Sequence, residues 1–192
     1  RIARAALRAG EPLGGLPGRA GSRALRALLS DEVVPDFPPQ MPHAASARLP
    51  KTEREGAAAV YLPACVNRIF GRPRGAPRGP SLPEAMVELS ARAGQPGWIP
   101  DDAPGHCCGV PWSSKGFKQG HELMANRTVE AMWDWSGQAE LPIVIDASSC
   151  SLGLRDEVAS ALTEENRGRH AKMTVLDSVA WAHDRLLPGL TA

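Results

Sequence analysis

The run Leu141-Pro142-Ile143-Val144-Ile145 constrains the fold most. It is an uninterrupted aliphatic stretch of strand length, with none of the polar alternation of a half-exposed strand. Such a segment belongs in a parallel sheet covered on both faces. Ala57–Pro63 is a second short apolar run, and Met173–Leu176 a third. Trp98-Ile99 is a brief fourth candidate.

Helical patterns lie between these runs. Ser81 and Glu84 form an S-x-x-E capping box ahead of Leu82, Ala85, Met86, Leu89 and Ala93, which share one helical face, and Gly94 closes the segment. His121–Trp135 places Met124, Thr128, Ala131, Met132 and Trp135 on one side and stops at Gly137. Asp177 caps a last helix carrying Val179, Ala180, His183, Leu186 and Leu187, which ends at Pro188. His183 reads as a core residue of that helix. Strand and helix in alternation predict an α/β fold, a small parallel sheet flanked by helices.

The N-terminal part differs. Residues 31–56 hold Pro35, Pro38, Pro39, Pro42 and Pro50, too many for a helix or a central strand, and read as an extended Pro-rich arm or linker. Phe37, Met41 and Leu49 are its candidate anchors. Residues 1–30 are basic through arginine alone and contain a single acid, Glu11. Arg1–Ala9 reads as the end of a helix stopped at Gly10. Ser22 reads as the cap of a second helix with Leu25, Leu28 and Leu29 on one face. The domain reading is therefore 1–30 as the tail of an upstream domain, 31–56 as linker and 57–192 as the main α/β domain. Arg72–Pro80, with three Arg, three Pro and two Gly, reads as an exposed loop.

With 19 Gly and 18 Pro but 43% hydrophobic residues, the chain has material for a core. Basic and acidic residues number 22 and 21, so there is no general basic face for a nucleic acid. No apolar run approaches the ~18 residues of a membrane span, and no secretion signal is visible. The expectation is a cytoplasmic protein. Neither G-x-G-x-x-G nor a phosphate-binding loop occurs, so no nucleotide or flavin fingerprint lies in the chain.

The chemistry lies in four cysteines. Forty-one residues separate Cys65 from Cys107, and forty-one separate Cys108 from Cys150. Cys65 and Cys150 each follow a strand, and Cys107-Cys108 lies in a loop after another. The carboxyl ends of parallel strands form one rim, so the fold brings all four sulfurs to one side. A helix starting at Ser151 would aim N–H groups at Cys150 and favour its thiolate. Four thiolates make the ligand set of one iron–sulfur cluster or one structural zinc. Gly109 supplies the kink that adjacent cysteines need to face one centre. His106 is a candidate donor to sulfur. Trp112 is a candidate flank of an electron path, and Ser113-Ser114-Lys115-Gly116 is either a solvated turn or a set of donors to an anion. Asp101-Asp102 read as solvated turn carboxylates. Thiol–disulfide chemistry at Cys107-Cys108 is the least favoured use of the pair, because redox pairs are usually C-x-x-C.

The motifs Leu62-Pro63-Ala64-Cys65-Val66-Asn67-Arg68, Cys107-Cys108-Gly109-Val110-Pro111-Trp112-Ser113-Ser114-Lys115-Gly116 and Asp146-Ala147-Ser148-Ser149-Cys150 resemble the cysteine-rich CCG domain. That domain occurs in heterodisulfide reductase, in glycolate oxidase iron–sulfur subunits and in flavin-dependent D-lactate dehydrogenases. The resemblance covers about residues 35–190. It implies an iron–sulfur cluster of the 4Fe-4S type on Cys65, Cys107, Cys108 and Cys150, with His106, Gly109, Asp146, Ser149 and Trp112 around it. It also implies FAD and a ferredoxin-like cluster domain upstream, outside this chain, and electron delivery to a quinone or cytochrome. Membrane contact would be peripheral at most, at the inner face. The general pattern ends in C-x-x-C, and its first cysteine falls on Ala147 here, leaving four sulfurs. The alternative is a metal-free or zinc-stabilised docking domain of the same kind of flavoprotein.

Overall fold

The computed structural model describes residues 4–5, 7–8, 16–30 and 42–190. The stop at Gly10, most of the proline arm and its anchors Phe37 and Met41 lie outside the described residues. The chain divides into two compact units, residues 1–47 with 68–81, and 48–67 with 82–192.

The first unit contains helix α1 (Leu16–Leu28). Ser22 lies inside this helix and is buried, so it is not the cap that the sequence suggested. Leu25, Leu28 and Leu29 are exposed. Ala44 and Phe70 form an antiparallel bridge. Arg72 donates to the carbonyls of Gly79 and Ala76 and so holds its own largely exposed loop.

The second unit is the α/β body. Its strands are β1 (Ala59–Leu62), β2 (Gly97–Trp98), β3 (Ile143–Ile145) and β4 (Val175–Asp177). They form one four-stranded sheet in the order β2-β1-β3-β4. Every pair is parallel, with Val60 beside Ile143, Leu62 beside Ile145 and Ile145 beside Asp177. All of β1 and β3 is buried, as the continuous apolar runs require. The fold is the α/β class expected.

The flanking helices are α2 (Cys65–Ile69), α3 (Leu82–Arg92), α4 (Val110–Ser113), α5 (Lys118–Trp135), α6 (Ser148–Leu152), α7 (Glu164–His170) and α8 (Ser178–Trp181). Helix α3 starts after Ser81, as its box predicts, and its expected face is buried in part, at Met86 and Ala93. Pro83, Met86 and Ser90 are covered, whereas Leu82 and Leu89 remain exposed. Helix α5 buries Ala125, Thr128, Val129, Met132 and Trp135. The Asp177 carboxylate accepts from the Val179 N–H and caps α8 as expected. The helical path continues from α8 through a π turn, Ala182–Leu186, that turns Leu186 inward. His183 is not a core residue: its side chain is 79% exposed and faces Asp184 at 2.7 Å. Leu49, at the end of the arm, packs on the core.

Candidate metal centre

The strand order places the switch in chain direction between β1 and β3, because the path from β2 to β3 returns across β1. Ligands bind at such a point, beyond the carboxyl ends of the strands. Cys65 opens α2 after β1, and Cys150 lies in α6 after β3. Cys107 and Cys108 follow β2 and a single 3₁₀ turn, Ala103–Gly105.

The sulfurs meet. Cys107 Sγ lies 3.8 Å from Cys65 Sγ, and Cys108 Sγ lies 3.2 Å from Cys150 Sγ. Cys65 also contacts Cys150, and Cys108 contacts Cys107. Cys108 and Cys150 are buried, and Cys65 and Cys107 are half-buried. None is in a disulfide.

A group of thiols in mutual contact shares its charge unequally. Cys150 is the favoured thiolate, pushed down to about 3, because it accepts hydrogen bonds from Cys108 and Cys65 and is helped by Ser149. The thiols of Cys65 and Cys108 are pushed up, each by its hydrogen bond to Cys107 first, then by Cys150 and by burial. Helix N–H groups are not the cause. Helix α6 starts at Ser148, and the N–H groups of Cys150 and Ser151 both bond to the Ala147 carbonyl. The expected helix start at Ser151 is therefore three residues late.

Gly109 has a φ of +82°, a left-handed conformation that a side chain resists. A methyl group there would also stand 2.8 Å from Cδ2 of His121. Thr128 on α5 holds Cys107 from behind, donating to its carbonyl at 3.0 Å and accepting its N–H at 3.4 Å. Gly153 opens a π turn, Gly153–Glu157, directly after α6. A methyl on Gly153 would stand 2.5 Å from Val110 Cγ2, so a side chain here would have to displace Val110 beside the Cys108 loop.

Asp146 joins the two central strands at the rim. Its carboxylate accepts from the Tyr61 hydroxyl at 2.6 Å and from the Ala64 N–H at 2.6 Å. Asn67 donates to the Asp146 carbonyl at 3.0 Å. Burial raises the Asp146 carboxyl above the usual range, against the pull of these donors. Burial, then the charge of Asp146, drives the Tyr61 phenol upward in turn. The residues on either side of Cys65 are thus tied to the residue that follows β3.

The remaining candidates stand further out. His106 is buried edge-on to Trp135 at 4.8 Å and faces Asp102 at 3.7 Å. Asp102 also accepts from the Trp135 indole at 2.9 Å, so it has a structural partner in addition to solvent. Trp112 is exposed and edge-on to Phe117. The hydroxyls of Ser113 and Ser114 donate to the Val110 and Pro111 carbonyls of their own turn.

Sequence reasoning missed Tyr61, Asn67, His121 and Gly153. Tyr61 carried a signal, as the chain's sole tyrosine inside an apolar strand. The contact of His121 with the Gly109 turn is a tertiary fact with no local mark.

The donor set, four sulfurs on one rim, is of the kind that suits a soft metal centre. As they stand, the thiols close on one another. Among the described residues, no three or more His, Cys, Asp or Glu residues stand open around a point to hold a metal ion. Among the same residues, no helix is long and apolar enough to cross a membrane.

No family model matches the chain, so none stands behind the CCG resemblance of its motifs, and no solved structure matches it. Over 62 residues it is 34% identical to one subunit of the anaerobic glycerol-3-phosphate dehydrogenase of Escherichia coli strain K12. The same subunit from Escherichia coli O157:H7 matches equally. The aligned stretch covers 32% of this chain and only 16% of each relative. Part of the chain is therefore similar to a subunit of an oxidoreductase.

Proposed function

We propose that this domain transfers electrons within a flavin-dependent dehydrogenase, with Cys65, Cys107, Cys108 and Cys150 as ligands of an iron–sulfur cluster of the 4Fe-4S type. The observation that carries the reading is the meeting of four sulfurs, drawn from three segments distant in the chain, at the switch point of a parallel sheet. When bound, the cluster supplies one-electron transfer between a flavin and a terminal acceptor. The chain's own residues place the ligands: Thr128 fixes Cys107, Gly109 turns Cys108, and Asp146 ties the Cys65 loop to β3. Gly153 lets the segment after Cys150 approach.

In this reading, residues 1–30 end an upstream cluster domain and 57–192 form the cysteine-rich domain. FAD lies in an upstream domain or subunit, and a quinone or cytochrome takes the electrons, with any membrane contact peripheral. The motif resemblance favours a 2-hydroxy acid as substrate, D-lactate before glycolate. The curated relatives are named for glycerol-3-phosphate, and the similarity to them supports the dehydrogenase class alone.

A second reading has one geometric observation in its favour. Sulfurs at 2.3 Å from a tetrahedral zinc stand about 3.8 Å apart, the separation of Cys65 and Cys107. A zinc-stabilised docking domain would keep the sulfurs close, whereas a cluster spreads them over separate irons.

Anaerobic reconstitution with iron and sulfide, followed by metal analysis and EPR, separates the two. About four irons per chain, with a signal that Cys108→Ser removes, is the expected result. Zinc in place of iron, or no metal at all, refutes the cluster.

A further inference from the structure

The sulfurs are not equally spaced, and the two cysteines adjacent in sequence take different partners. Cys108 reaches across to Cys150 at 3.2 Å, whereas Cys107 faces Cys65 at 3.8 Å. Cys108 and Cys150 are also the buried members of the set, so solvent does not separate them. A disulfide needs its sulfurs at ~2.05 Å, so this pair has only about 1 Å to close. A bond between Cys107 and Cys108 would instead close a small strained ring through their shared peptide.

We propose that Cys108 and Cys150 are a disulfide-forming pair whose closure by a hydroperoxide locks the metal site shut. The bond assignment stands on sulfur geometry, and its consequence for metal rests on the cluster reading above. One sulfur of the pair attacks the hydroperoxide and takes its terminal oxygen. The O–O bond breaks, the alcohol leaves and a sulfenic acid forms. The second sulfur displaces that oxygen as water, and the S–S bond forms. Two thiols are oxidised, and one hydroperoxide is reduced to one alcohol and one water. Two of the four ligands are then withdrawn. Cys65 and Cys107 are left as thiols, too few to hold a cluster, until a dithiol reductant reopens the pair.

The test uses reduced, metal-free protein treated with one equivalent of hydrogen peroxide and digested without reduction. Mass spectrometry should find the Cys108 and Cys150 peptides joined, lighter by two hydrogens, in the wild type and in Cys65→Ser. Cys150→Ser should lose that product while its circular dichroism shows a folded chain. A main product joining Cys107 to Cys108 or to Cys65, or sulfinic acid without a crosslink, overturns the assignment. In a second arm, iron and sulfide are offered to the oxidised and reduced forms. Uptake by the reduced form alone, restored to the oxidised form by dithiothreitol, supports the lock, and equal uptake by both overturns it. If the reduced form takes up no iron, the cluster reading fails and the crosslink assignment is judged by the peptide map alone.

Discussion

Asp146→Ala tests whether the rim is held together by a buried carboxylate. In the native chain one oxygen of Asp146 accepts from Tyr61 and the other from the Ala64 N–H. Removing the carboxylate leaves a hydroxyl and an amide N–H without acceptors in a buried place. Each costs about 1–3 kcal/mol, so the substitution should destabilise by about 2–6 kcal/mol, a large part of the ~5–15 kcal/mol of an ordinary domain. Asp146→Asn provides the contrast. Its amide oxygen can accept from Ala64, and its NH₂ can donate to Tyr61, whose hydroxyl reverses its role. Burial already pushes the native carboxyl toward its neutral form, so a neutral amide loses little there. A cost of about 1 kcal/mol or less is expected for it. Urea unfolding followed by tryptophan fluorescence measures both, with the midpoint compared at unchanged slope. Equal losses for Asn and Ala, or a loss below about 1 kcal/mol for Ala, would refute the argument.

Two further substitutions probe the supports of the site. Gly109→Ala should cost about 1–2 kcal/mol for its left-handed backbone, plus the contact with the His121 ring. A cycle with His121→Ala should recover the second part alone, and an identical cost in both backgrounds would sink the steric account. Asp177→Ala should lose about 1 kcal/mol as a missing cap. Burial works to raise the Asp177 carboxyl, but bonds from Val179, Ser151 and Ser148 outweigh it and hold it below its usual value. Its contribution is therefore present above the unfolded carboxylate range and lost as pH falls through the folded value. The stability gap between wild type and variant should narrow in acid, and a constant gap from neutral to acid pH would contradict the capping role.

What the sequence made legible was local. Leu141–Ile145 announced a buried strand, Ser81 a helix start and Asp177 a cap, because each signal is complete within a few residues. The faces of the helices were harder. Leu82 and Leu89 satisfied the helical period yet stayed exposed, since the period marks a stripe without saying how much of it the sheet covers. His183 failed for a related reason: Val179 and Leu187, which share its predicted face, are exposed as well, and the last helix turns Trp181 and Leu186 inward instead. The common rim of the cysteines followed from the parallel sheet. Their pairing did not, because it depends on the Gly109 turn, on Thr128 and on the approach at Gly153, all set by residues distant in the chain.

The spacing of the cysteines also has a consequence in time. Each close sulfur pair joins residues 42 positions apart, and the Tyr61–Asp146 bond joins residues 85 apart. Such contacts form late, because long loops must close before they contribute. The emerging polypeptide thus carries only Cys107 and Cys108 side by side, and a complete ligand set first exists when the sheet does. Unfolded chain, lacking adjacent ligand pairs of the C-x-x-C kind, competes poorly for metal. Whatever metal the folded rim accepts therefore acts on the native state almost alone, and its full binding free energy appears as added resistance to unfolding.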